Sequence, residues 1–230
     1  MELTTIDGTS PKHTMPFVRV ELVLLSVAAG GLQVLLSHRK ETPFKGKWGL
    51  PGGVLRIDLD ASLEDAAQRV ANERLNKTLP NLNQVAAVGG SKRDPRAAWA
   101  MSVVYRSLVQ PDIETSPGKR VRALAWRNVA DVIRADDLAF DHVSLVVKAI
   151  EATRQEVREQ RFQAGWLPSE FTLTELQALS EAVLASPLDK VTFRRRLEVS
   201  GIAKPLEGKT KMVGAHRPAQ LFTTKVIGNS

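Results

Sequence analysis

Residues 41 to 53 contain two prolines, four glycines, two lysines and a tryptophan, and end in Trp48-Gly49-Leu50-Pro51-Gly52-Gly53. So many breakers exclude a continuous helix or strand, and the segment reads as a loop that wraps a site. A helix is expected directly after it: Ser62 and Asp65 form a capping-box pattern, and Leu63, Ala66, Ala67, Val70 and Leu75 recur at helical spacing. Strands are expected on both sides of this unit. Residues 17–28 and 32–38 are rich in Val and Leu and are separated by Gly30-Gly31, a hairpin signal; 85–91, 99–109 and 121–126 follow, with 91–96 as a turn. Helices are expected at 128–134 and 142–161, the second long and charged on one face.

Gly165-Trp166-Leu167-Pro168 breaks the long helix and marks a boundary. The expected organisation is a loose arm at 1–13, a first domain at 14–164 and a second at 165–230. In the second domain Thr172 and Glu175 cap a helix carrying Leu173, Leu176, Leu179, Val183 and Leu184, which Ser186-Pro187 ends. Another helix runs from Asp189 to Gly201, and residues 202–206 and 220–225 form a hairpin with a long basic tip. Helix, short turn, helix and basic hairpin is the outline of a winged helix-turn-helix, its first helix lent by the segment before Pro168.

Charge separates the two parts. Of the net charge of +7, residues 187–230 hold +6, nine basic against three acidic groups, and the rest of the chain only +1. A basic terminus of this kind is the footprint expected where phosphates are contacted. With no cysteine, disulfides, thiolate nucleophiles and cysteine-based zinc sites are excluded, and four scattered histidines argue against a histidine metal site. The longest apolar stretch, 22–29, is far short of a membrane span, so a soluble cytoplasmic protein with no membrane partner is expected.

The loop and the Ala66-Ala67-Gln68-Arg69 run resemble the Nudix box of nucleoside diphosphate-linked hydrolases, G-x5-E-x7-R-E-U-x-E-E-x-G-U with U a bulky aliphatic residue. In that family carboxylates three and four residues apart share a helix face and hold Mg²⁺ against a pyrophosphate. Anchored on Arg69, the helical glutamates fall on Val70, Glu73 and Arg74, the later glycine on Asn76 and the earlier glutamate on Ala61 beside Asp60. One of three carboxylates survives, another has become a cation that would repel Mg²⁺, and Gly53 to Arg69 is two residues longer than the family spacing. No catalytic or metal-binding residue is therefore assigned.

Across residues 15 to 225 the chain resembles the Nudix-related transcriptional regulators of NAD metabolism, the NrtR family. The motifs are Pro43-Phe44-Lys45-Gly46-Lys47-Trp48, Arg93-Asp94-Pro95-Arg96, Ser102-Val103-Val104-Tyr105, Leu138-Ala139-Phe140-Asp141-His142, Phe171-Thr172-Leu173-Thr174-Glu175-Leu176-Gln177, Phe193-Arg194-Arg195-Arg196 and Arg217-Pro218-Ala219. Ala97 and His216 stand where glycine is expected, which bears on local turns. The resemblance implies an α/β Nudix fold, a mixed sheet between helices, with a C-terminal winged helix-turn-helix. It further implies a homodimeric repressor of NAD biosynthesis or salvage genes that binds palindromic operator DNA. Its effector would be ADP-ribose or a related nucleotide, with no cofactor required. The competing reading is an active Nudix hydrolase, an ADP-ribose pyrophosphatase with an accessory domain.

The candidate ligand residues are Arg39, Lys45, Trp48, Gly52, Gly53, Glu73, Arg93 and Arg96, because cations beside an aromatic ring suit a pyrophosphate and an adenine. Arg93-Asp94-Pro95-Arg96 is equally readable as a turn with an internal ion pair, Trp48 as a packing residue, and Glu73 as the structural partner of Arg69. For DNA the candidates are Lys190, Thr192, Arg194, Arg195, Arg196, His216 and Arg217. Consecutive arginines fan over roughly 200 degrees of a helix, so they divide between base edges and phosphates while Phe193 and Leu197 face the core.

Overall fold

The computed structural model describes residues 15–28, 31–79, 81–163, 165–212 and 218–224. The expected arm at 1–13, the hairpin glycine Gly30 and the tip residues His216 and Arg217 lie outside the described residues.

Alternation of side chains along β1 (Phe17–Ala28) builds the centre of the fold. Val20, Leu22 and Leu24 enter one core with α1 (Leu63–Leu75), while Val23 and Leu25 enter another beneath α3 (His142–Arg158). Both faces of the strand are thus covered, which is why it reads as a nearly continuous apolar run. Around it lies a seven-stranded sheet in the order β3-β2-β1-β6-β5, with β4 paired to β1 and β7 to β2. Its members are β2 (Gly31–Arg39), β3 (Trp48–Gly49), β4 (Gly52–Val54), β5 (Asn83–Gly90), β6 (Ala100–Val109) and β7 (Val121–Asn128). The β1–β6 ladder is parallel and the other ladders are antiparallel, so the sheet is mixed.

The 41–53 segment differs from the expected plain loop. Its last part forms β3 and β4, which pair with β2 and β1, because the chain doubles back through hydrogen bonds between Arg39 and Lys47 and from Gly46 to Arg39. The two-residue insertion in the box becomes a turn at 56–60 whose Asp60 carboxylate binds Arg69 through both Nε, at 2.6 Å, and Nη2, at 2.8 Å. Arg69 also lies 3.4 Å from Glu73, the structural pairing expected for that glutamate.

A short α2 (Val129–Ala135), capped by Asn128, precedes α3. The C-terminal half of α3 packs against α4 (Leu173–Leu184), and Arg154 donates to Val183 O at 3.1 Å. α4 is thus seated on the C-terminal half of α3. The Thr172–Glu175 capping box is fully formed, and Asp189 caps α5 (Lys190–Ser200) by accepting from Thr192 N. The hairpin β8 (Ala203–Lys211) and β9 (Ala219–Thr224) is longer than expected because a register shift between Pro205 and Thr210 absorbs the extra residues. Phe171 adds a single antiparallel bridge to Phe222 on β9. One apolar core runs from Val23 through α3 to Phe193 and Leu197, so the two units share buried residues.

Candidate functional site

One concentration of charge, besides α5, is a cleft lined by Arg19, Arg39, Lys40, Arg74, Arg96 and Arg120 together with Glu41, which pairs with Arg120 at 3.4 Å, and with the Gly52-Gly53 backbone on its wall. Each arginine is held by a different piece of local structure. Arg19 on β1 binds Glu21, two residues on and therefore on the same strand face, at 2.7 Å. Arg39 at the end of β2 donates to Pro43 O at 3.0 Å and lies 4.9 Å from the Phe140 ring centre. Arg96 is gripped by Asp94 and stacks 5.0 Å from Phe17. Arg120 arrives on the 116–120 loop, which is pinned to the end of α1: Gly118 N donates to Arg74 O and Lys119 N to Glu73 O. A side chain at Gly118 would strike Glu73 O, so only glycine lets this loop approach.

Behind the wall, Glu21 and His142 are buried. A Cβ at Gly52 would sit 1.6 Å from Glu21 Oε2, so a side chain there would displace the buried Glu21 carboxylate. Leu50 N donates to His142 Nδ1 at 2.8 Å, and burial together with the neighbouring Arg19 pushes the imidazole pKa down to about 3. Burial also raises the Glu21 carboxyl, although Arg19 opposes this.

The structure brings together four of the expected ligand residues, Arg39, Gly52, Gly53 and Arg96, along this cleft. Four others stand apart from its lining. Lys45 is exposed on the loop. Trp48 is half-buried, edge-on to His38 and covered by Arg127, because β3 pairing turns it toward β2. Glu73 is engaged by Arg69 and Arg74. Arg93 is clamped bidentately by Asp141 at 2.7 Å and lines a small adjoining pocket. Sequence reasoning missed Arg19, Arg74 and Arg120 as cleft residues. Arg19 was signalled by alternating with core positions in an apolar strand, and Arg74 by standing where a carboxylate was expected.

Magnesium-dependent Nudix chemistry does not fit these residues. Val70, at the first glutamate position, is fully buried under Gly53, and Arg74, at the third, projects a guanidinium to the cleft. Glu73 alone retains a carboxylate, 3.8 Å from Arg74 Nη1 and also paired to Arg69, which is a poor oxygen donor set for a hard dication. Among the described residues no group of three His, Asp or Glu side chains could hold a metal ion.

The second charged surface is α5. Phe193 and Leu197 are buried, while Lys190, Thr192, Arg194, Arg195 and Arg196 are exposed. Arg195 lies opposite the buried face, and Lys190, Arg194 and Arg195 have no acidic partner within ion-pair distance among the described residues. Arg196 differs, since it donates to Arg158 O at the end of α3 at 2.9 Å. On the hairpin, Lys209 and Lys211 are paired with Glu170 and Glu175.

Residues 17–148 match the NUDIX domain and residues 164–224 the NrtR DNA-binding winged helix domain. The ADPR responsive transcriptional repressor NtrR of Acinetobacter baylyi is 35% identical over 91% of this chain and 82% of its own length. The crystal structure of Shewanella oneidensis NrtR complexed with a 27mer DNA superposes with a TM-score of 0.74 at 31% identity, covering 90% of this chain and 93% of that one. The NUDIX domain of the same protein complexed with ADP ribose gives 0.58 at 32% identity, covering 64% of this chain and 96% of that one. With a Nudix sheet carrying an altered box and a winged helix seated on its third helix, the chain belongs to the NrtR family.

Proposed function

We propose that the protein is a transcriptional repressor of NAD biosynthesis or salvage genes whose Nudix unit, residues 14–164, receives ADP-ribose or a related nucleotide. Residues 165–230 form the unit that binds operator DNA, and two copies of the chain engage a palindromic site. The observation that carries this reading is the uncompensated basic face of α5, Lys190, Arg194 and Arg195, held outward by Phe193 and Leu197. Thr192 joins this face, and Arg196 reaches phosphate only by releasing Arg158 O. His216 and Arg217 are assigned to the wing tip from their place in the sequence. The family's relatives that bind DNA and ADP-ribose support the same division of labour.

In this reading Arg39, Arg96 and the Gly52-Gly53 backbone contact the nucleotide, and Arg93 acts by holding Asp141 at the start of α3. The box does not hydrolyse the ligand, because the side chains at 70 and 74 cannot ligate magnesium. Communication runs along α3. Its 17 residues span about 25 Å, from His142 behind the cleft to Arg158, which touches α5.

Fluorescence anisotropy on a palindromic promoter fragment tests the proposal. Affinity should fall by on the order of a thousandfold between low and moderate salt if about six to ten phosphates are contacted. Saturating ADP-ribose should change it further. Salt-insensitive or absent binding would end the repressor reading, and steady release of AMP with Mg²⁺ would favour the hydrolase instead.

A further inference from the structure

We propose that Arg74 takes the place of the divalent cation, so that the cleft binds the diphosphate of its nucleotide without metal. This rests on the reading that the cleft receives a nucleotide. A Nudix box brings positive charge to a diphosphate by holding a dication on helix carboxylates. Here the box helix presents a covalently attached cation at one of those carboxylate positions.

The guanidinium is fixed in place. Nε donates to Gly52 O at 2.8 Å and Nη1 to Lys119 O at 2.9 Å, so two backbone carbonyls, one from β4 and one from the 116–120 loop, orient the fork. Nη2 makes no hydrogen bond among the described residues, and a Cβ at Gly53 would stand 3.7 Å from it. Glycine at 53 thus leaves backbone beside this nitrogen, where a phosphoryl oxygen can approach. The carboxylate within ion-pair distance of Arg74, Glu73, is shared with Arg69. Around Arg74 stand Arg19, Arg96 and Arg120, paired with Glu21, Asp94 and Glu41, and Arg39 and Lys40, for which no acidic partner lies within ion-pair distance among the described residues, so the cleft keeps a net positive charge that a diphosphate would offset.

Calorimetry on the full-length wild type, with ADP-ribose and separately with inorganic diphosphate, each in EDTA and in millimolar Mg²⁺, tests this. Both probes should bind in EDTA with affinity within about threefold of that in Mg²⁺, and R74Q should weaken both by roughly tenfold or more. Binding that appears only on adding magnesium overturns the proposal, as does failure of both probes in either condition. Diphosphate binding in EDTA without ADP-ribose binding keeps the Arg74 assignment and sinks the nucleotide reading. Unchanged ADP-ribose affinity in a folded R74Q protein does the reverse. Should R74Q fail to fold, R74K, which keeps the charge, and the metal dependence of the wild type still decide.

Discussion

Val70 and Arg74 are neighbours one turn apart on α1, yet one is sealed against Gly53 and the other borders the cleft. Their difference makes a prediction about repair of the box. Val70→Glu places a carboxylate at a fully buried position among Ala66, Ala67 and Ala71, where Arg74 one turn on offsets only part of the desolvation, and should cost roughly 1–3 kcal/mol. Urea unfolding measures this; an unchanged midpoint would mean that Gly53 gives way and the side chain escapes to the cleft. His142 supplies a second residue-scale prediction. Its folded pKa, about 3, lies below its ordinary 6.5, so the unfolded chain takes up the proton first. Stability should therefore be complete above pH 6.5 and decline as pH falls toward 3, at up to about 1.4 kcal/mol per unit. Glu21 works in the opposite sense, since its raised pKa makes stability fall as pH rises through that value. The difference between wild type and H142N isolates the histidine: the variant, whose amide oxygen can still accept from Leu50 N, should lose the decline. At this scale the sequence showed which carboxylates had gone. It did not show that Asp60 would bind Arg69, because that pairing depends on the turn at 56–60 folding back onto the helix.

Elements whose signals are local were legible, and those made by distant contacts were not. The helices α1, α4 and α5 announce themselves through caps at Ser62, Thr172 and Asp189 and through apolar spacing, and the structure keeps all three caps. By contrast β3 and β4 are too short to carry a period, and they exist because β1 and β2 offer edges to pair with. Arg120 was invisible as a cleft residue for a similar reason: its loop is positioned by the carbonyls at the end of α1, more than forty residues earlier in the chain. For α5 the cap and the exposed face can be separated by experiment. Asp189→Ala removes the acceptor for Thr192 N and should cost about 1 kcal/mol of stability by thermal unfolding. Arg195→Ala should leave stability within about 0.5 kcal/mol, since the side chain is exposed and unpaired. It should nevertheless weaken DNA binding and lower the salt slope by about one. A slope identical to wild type would show that Arg195 does not meet a phosphate.

At the scale of the whole molecule, the shared core joins the two units along α3, which makes shifts in α3 the proposed route for a signal between them. The helix is anchored at both ends and in its middle. Asp141, before its first turn, is clamped by Arg93; Thr153 and Glu156 bind the buried Arg106 of β6; and Arg158 O receives Arg196 from α5. Arg106 has to stay, because removing one partner of a buried ion pair costs about 3–5 kcal/mol and would confuse stability with signalling. The Arg93–Asp141 pair is the better probe, since Asp141 is partly exposed and makes no side-chain cap to the helix. Asp141→Asn keeps the shape but surrenders the charge, which loosens the cleft end of α3 without touching α5. Allosteric coupling between two sites is typically about 1–3 kcal/mol, or roughly 5- to 150-fold in affinity. In the variant, DNA affinity without nucleotide should match wild type, while the factor by which saturating ADP-ribose changes it should shrink severalfold toward one. Anisotropy titrations of both proteins with and without ligand give the two ratios. An equal ratio would place the coupling elsewhere, as in the Arg106 network, whereas a change in the ligand-free affinity would mean that Asp141 sets the resting position of α5.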